Sequence, residues 1–197
     1  MISIEVVFYL ATLLFGGIGA IRGWQKEVIA MAGLIGSIAF LHSFGFTLVT
    51  RGLPFLSPIL TVAPERQAFW LQFGFHVVIA FFSYQVIGSI ASRAPGVRGD
   101  RAREGFQNMF IGFVVGMFNG YLLFGTLWSF LEYQITVEGY RLLPAGQPYV
   151  FGSLVQRVAT ETIFINMLDY LPLTIFNPGV WLLAFFVSFF IVIIALI

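Results

Sequence analysis

Long apolar runs, separated by short polar interruptions, set the pattern of this chain. They cover about residues 4–21, 28–48, 69–91, 109–131 and 180–197. Each is close to the roughly 20 residues that a helix needs to cross a hydrocarbon core of about 30 Å. Between the fourth and fifth runs the pattern changes. Ser153, Gln156, Arg157, Thr160 and Glu161 recur at spacings of three and four opposite Leu154, Val155 and Val158. This is the periodicity of an amphipathic helix lying on a membrane surface, predicted over about residues 153–171. The expected fold is an all-α membrane protein, a single polytopic domain over residues 1–197. It has four to five transmembrane helices and an amphipathic interfacial helix before the last.

The interruptions sharpen this picture. A continuous helix from residue 4 to 48 would be far longer than the membrane is thick, so the turn at residues 22–27 predicts a tight hairpin. Pro54, Pro58 and Pro64 predict that residues 51–66 are not a regular helix throughout. Pro64 and Glu65 suit the first turn of the third helix. Leu171-Pro172 and Asn177-Pro178-Gly179 are expected to end what precedes them. Gly16, Gly19 and Gly23 fall on one face of the first helix, and Gly112, Gly116 and Gly120 on one face of the fourth. Small residues in such a ladder let another helix backbone come close.

Composition agrees with the pattern. The 197 residues are 59% hydrophobic and 10% charged, and the mean hydropathy is +0.94. Soluble domains carry about 25% charged residues, so this chain lacks the means to cover a water-facing surface. A net charge of +1 gives no sign of a nucleic-acid partner, and the absence of cysteine excludes disulfide and thiolate chemistry. Six Lys or Arg residues sit in the short turns 22–27 and 93–103, against two each in the loops 49–68 and 132–179. The positive-inside rule then places the short turns in the cytoplasm, the N-terminus outside and the C-terminus inside.

Ile21-Arg22-Gly23-Trp24-Gln25-Lys26-Glu27, an acidic Glu5 near the start, and the Gly112-Gly116-Gly120 ladder form one set of motifs. With Ile163 to Leu171, including Asp169-Tyr170, they cover about residues 3–171. In these features the chain resembles the colicin V production protein family of small bacterial inner-membrane proteins. It departs from the family in carrying Asn108-Met109 where members have Asp-Arg, and Asn119 where members often have Arg. The resemblance implies a four-helix membrane core and a link to toxin production or export and envelope homeostasis. It marks Glu5, Arg22, Gly23, Lys26 and Glu27 as motif residues.

Candidate chemistry adds little to this. Arg22, Lys26 and Glu27 read as topogenic charges with a surface ion pair worth about 0–1 kcal/mol, or as a site for a partner or an anionic lipid. Arg93, Arg98, Arg101 and Arg103 suit lipid headgroups or a partner, at roughly 1 kcal/mol per charge. His42 and His76 are candidates for axial ligands of haem or chlorophyll, set against simple interhelical hydrogen bonding at about 0.6 kcal/mol. Glu132, Glu138, Glu161 and Asp169 are expected to be solvated acids at one interface. No catalytic set, metal-binding pattern or phosphate-cradling loop is present. The expected function is therefore a non-enzymatic membrane accessory or scaffold protein without a cofactor, in contact with lipids and with other membrane subunits or itself. The alternative is an integral subunit of a respiratory or photosynthetic complex, motivated by the two histidines and the uncharged fifth run. A small channel or transporter has less in its favour, since no single helix shows a clear polar stripe.

Overall fold

The computed structural model describes residues 4–58, 62–91, 102–144, 147–152 and 163–196. The described residues are predominantly helical. The α-helices are α1 (Ile4–Arg22), α2 (Trp24–Leu56), α3 (Pro64–Ala91), α4 (Ala102–Glu132), the short α5 (Pro172–Ile175) and α6 (Pro178–Leu196). A hairpin of β1 (Tyr133–Thr136) and β2 (Gly139–Leu142) follows α4, and a 3-10 helix, Ile163–Tyr170, precedes α5. Among the described residues, α1, α2 and α4 are long and apolar enough to cross a membrane, and α6 is a shorter apolar helix. α3 is 28 residues long, but Gln67, Gln72, His76 and Gln85 make it the most polar of the long helices.

The helices do not pair in chain order. α1 runs antiparallel along α4, with Gly23 against Asn108, Gly19 against Gly112 and Gly116, and Thr12 against Gly120. α2 runs antiparallel along α3, with Gly33 against Ser83 and Gly52 against Leu71. The expected tight hairpin at residues 22–27 is therefore a corner, and α1 leaves α2 to pack on α4. Gly23 makes the corner with φ of 86°, a backbone conformation that costs glycine little. The α1–α4 seam is as close as backbones allow. A Cβ at Gly19 would collide with the carbonyl oxygen of Gly112, and one at Gly116 with that of Phe15.

Other boundaries also move. α2 begins at Trp24 instead of residue 28 and continues through Pro54 to Leu56. The proline is tolerated because it lies in the last turn, where it removes one hydrogen bond near the helix end. α3 begins at Pro64. α4 starts at Ala102, seven residues before the expected run. The two-stranded hairpin is unanticipated; it pairs Tyr133 with Leu142 and Thr136 with Gly139. Residues 153–162 of the expected interfacial helix lie outside the described residues, and Ile163–Tyr170 is a 3-10 helix, not an α-helix. The 3-10 helix ends at Tyr170 and α5 at Ile175, so Leu171-Pro172 and Asn177-Pro178-Gly179 do end what precedes them. Pro172 and Pro178 also open α5 and α6, the position where a missing N–H costs nothing.

The core lies between α2, α3, α4, α5 and α6, around Leu34, Ile38, Leu41, Ala80, Leu122, Leu173 and Trp181. Phe8, Trp128, Tyr133 and Leu171 form a smaller cluster that ties α1 to the hairpin end. α6 packs on α2, where Phe185 covers Gly36, and buries Trp181 and Ser188. Its remaining face, with Leu183, Phe186, Phe190 and Ile194, is exposed. Such a face is unremarkable in lipid, where apolar side chains meet an apolar solvent.

Candidate functional site

The corner between α1 and α2 gathers polar groups from all four long helices. Arg22, in the last turn of α1, donates from Nη1 to Glu27 Oε1 at 2.9 Å and from Nη2 to the Tyr84 carbonyl at 3.0 Å. Its guanidinium also lies 4.5 Å from the centre of the Tyr84 ring. The Tyr84 hydroxyl donates to Glu27 Oε2 at 3.1 Å. Asn119 Nδ2 donates to the same oxygen at 2.8 Å and to the Glu27 carbonyl at 2.9 Å. The Glu27 side chain is fully enclosed, whereas Arg22 keeps 22% of its side chain exposed. The surface ion pair expected from sequence is thus a buried one. Burial strips water from both charges, so the arrangement depends on the extra donors that surround the carboxylate. Next to it, Asn108 Oδ1 accepts from the Trp24 amide at 3.2 Å, fixing the first turn of α2 against α4.

The opposite end holds a second carboxylate. Glu132, the last residue of α4, is fully buried, not a solvated acid as expected. It accepts from Trp128 Nε1 at 3.3 Å and from the Tyr149 hydroxyl. Its carbonyl accepts from the Leu143 amide at 2.9 Å, which closes the hairpin against the helix end. Glu138 and Asp169 are exposed; Glu161 lies outside the described residues. Glu5 is buried near the start of α1, at the other end of that helix from Arg22.

His76 is fully buried on α3. Its Nδ1 is 2.8 Å from Ser37 Oγ on α2, and its ring lies against Phe130 and the backbone of Leu122 and Leu123 on α4. His42 stands edge-on to Tyr140 with ring centres 5.5 Å apart, and the Tyr140 hydroxyl donates to Gln72 Oε1 at 2.8 Å. Burial pushes the Tyr140 phenol well above its ordinary pKa. The two histidines therefore occupy separate settings. Among the described residues no group of three or more His, Cys, Asp or Glu side chains is placed to hold a metal.

The structure thus brings together Arg22, Gly23, Glu27, Gly112 and Gly116 at one joint. Gly16 and Gly120 continue the same seam, with Gly16 against Phe113 and Met117. Lys26 sits half-buried at its edge. Arg93, Arg98 and Arg101 lie outside the described residues, as does the side chain of Arg103. Tyr84 was not singled out by sequence, because a tyrosine near a helix end carries no signal of its partner. Set against known protein families, curated proteins and solved structures, the chain finds no match.

Proposed function

We propose that this chain is a non-enzymatic accessory or scaffold protein of the bacterial inner membrane, of the colicin V production type, serving toxin production or export and envelope homeostasis. One observation carries the reading. The residues behind the resemblance come from two distant stretches, Arg22 to Glu27 and Gly112 to Gly120, and they meet in one joint. A motif that builds a single joint is a motif for holding helices in place. The short 22–27 turn lies beside the start of α4, since Trp24 meets Asn108, and beside the last part of α3, since Arg22 meets Tyr84. That is the end to which the positive-inside rule assigns the cytoplasm. In this reading Arg93, Arg98, Arg101 and Arg103 meet anionic headgroups or a partner there. The alternative, an integral subunit of a respiratory or photosynthetic complex, has less support, because His76 is enclosed by protein and bound to Ser37, which leaves His42 as its one partly exposed histidine.

The test is complementation of a deletion strain, scored by toxin export and by survival under envelope stress. Gly116→Leu, which forces α1 from α4, should fail to complement. Gly17→Leu should complement, since nothing lies within 4 Å of a Cβ there. A Gly116→Leu protein that restores both phenotypes would remove the basis of the reading. An absorption spectrum of the natively purified protein checks the alternative: a stoichiometric haem or chlorophyll band would favour it.

A further inference from the structure

The polar residues that remain inside the bundle form a column along α3 and its neighbours. α3 contributes Gln72, His76 and Tyr84, spread over about 18 Å of helix axis at 1.5 Å per residue. Gln72, which is buried, lines a cavity of about 570 Å³ that also receives Glu65, Arg66, Gln134 and Gln147. One turn along α3 is His76, bound to Ser37. Tyr84 at the far end is bound to Glu27 and, through it, to Asn119 and to Arg22, whose side chain is partly exposed. α4 runs beside the column and adds Asn119 and Thr126, both fully buried.

Asn119 Oδ1 and Thr126 Oγ1 are buried with no hydrogen-bond partner among the described residues, and His76 Nε2 has beside it only the backbone of Leu122 and Leu123, with no well-formed hydrogen bond. His76 lies against the α4 turn that separates Asn119 from Thr126. Enclosing such atoms unpaired is costly, and polar atoms in this condition are the ones that internal water binds. In hydrocarbon the cost is not relieved by bulk solvent, so polar groups kept there mark a path or a site.

We propose that this column conducts protons between the cavity beside Gln72 and the Arg22–Glu27 joint, with His76 as the group that takes up the proton and passes it on. A proton arriving at one ring nitrogen makes the imidazolium. With Nε2 as that nitrogen, Nδ1 gives its proton to Ser37 Oγ as the Ser37 hydroxyl gives its own proton to an internal water; the ring is left neutral with the new proton on Nε2, and turning of the ring resets it. No oxidant or reductant is needed. The groups packed against His76 are Ser37 from α2 and Leu122, Leu123 and Phe130 from α4, none of them charged. The next carboxylates and histidines along those helices are Glu27 and His42 on α2 and Glu132 on α4. On α3 itself they are Glu65 and, at the same end, the cation Arg66.

The experiment uses the full chain in liposomes loaded with a pH-reporting dye, with a potassium diffusion potential set by valinomycin and no sodium present. The wild-type protein should change the internal pH faster than protein-free liposomes do. His76→Phe should return the rate to that of protein-free liposomes. Thr126→Val keeps shape and volume, so it guards against a misfolded histidine variant, and it should slow the flux. A wild-type rate equal to the protein-free rate overturns the proposal, as does a Thr126→Val rate equal to wild type. No partner enters this assay, so its failure leaves the accessory reading standing, and the failure of complementation leaves the flux result untouched.

Discussion

The two ends of the bundle each bury a carboxylate, and they do so by different means. Glu27 faces a cation, Arg22, together with donors from Tyr84 and Asn119. Among the groups that hold Glu132 are two neutral donors, Trp128 and Tyr149. The surroundings differ as well. Beside Glu27 the backbones of α1 and α4 touch at Gly19 and Gly112, so no side chain can move aside to absorb a change. Beside Glu132 the packing is aromatic and a two-stranded hairpin closes the end, so rotamers can adjust. The first end is rigid through backbone contact and charge; the second is held by side chains that can give.

The most damaging way to break this comparison is at the backbone seam. Gly112→Leu places a branched side chain against the Gly19 carbonyl, where repacking cannot relieve it. The cost should exceed about 3 kcal/mol, the upper part of the range for overpacking in adaptable cores. Gly139→Ala at the hairpin end meets open space, although φ of 114° is unfavourable for alanine. Size-exclusion profiles in mild detergent should show aggregated Gly112→Leu and monodisperse Gly139→Ala. Two monodisperse profiles would mean that the seam tolerates separation.

Next in size is Arg22→Ala. It leaves Glu27 buried without its cation, and breaking such pairs costs about 3–5 kcal/mol when both partners are enclosed. Arg22 is partly wet, and Tyr84 and Asn119 still donate, so the loss should fall at or below about 3 kcal/mol. Thermal unfolding in detergent reads it directly. Adding Glu27→Leu should recover part of the loss, because the double variant no longer buries an unpaired charge. Equal stability of wild type and Arg22→Ala would show that the donors suffice alone.

Sequence showed the first end far better than the second, for physical reasons. Arg22, Gly23 and Glu27 are close along the chain, and the glycine ladder repeats at the period of the helix, so their juxtaposition follows from local geometry. Which helix the ladder faces did not follow, because apolar stripes in a membrane do not name their neighbour; hence a hairpin was expected where α1 packs on α4. Glu132 reads as a solvated acid because one of its donors, Tyr149, comes from beyond a hairpin with no strong turn signal, and Trp128 one turn earlier carries no sign of the bond it makes. The internal column was invisible for a related reason. Its members are spread over α2, α3 and α4, so no single helix shows a stripe even though the assembled bundle does.

At the hairpin end the effects should be smaller, and they measure how far that end can give. Tyr149→Phe removes one donor from a buried carboxylate, a loss of about 1–3 kcal/mol. A cycle with Glu132→Gln separates the pair's coupling from the general effect of each change. At the outer tip of the same hairpin Glu138 and Arg141 form an exposed ion pair, and Arg141→Ala should cost no more than about 1 kcal/mol. Running Arg22→Ala and Arg141→Ala side by side at low and high salt tests whether burial sets the difference. Salt screens charges that water reaches, so the small Arg141 effect should vanish at high salt while most of the Arg22 effect persists. If both faded together, Glu27 would be reached by solvent, and the contrast between a rigid, dry end and a pliant one would rest on the glycine seam alone.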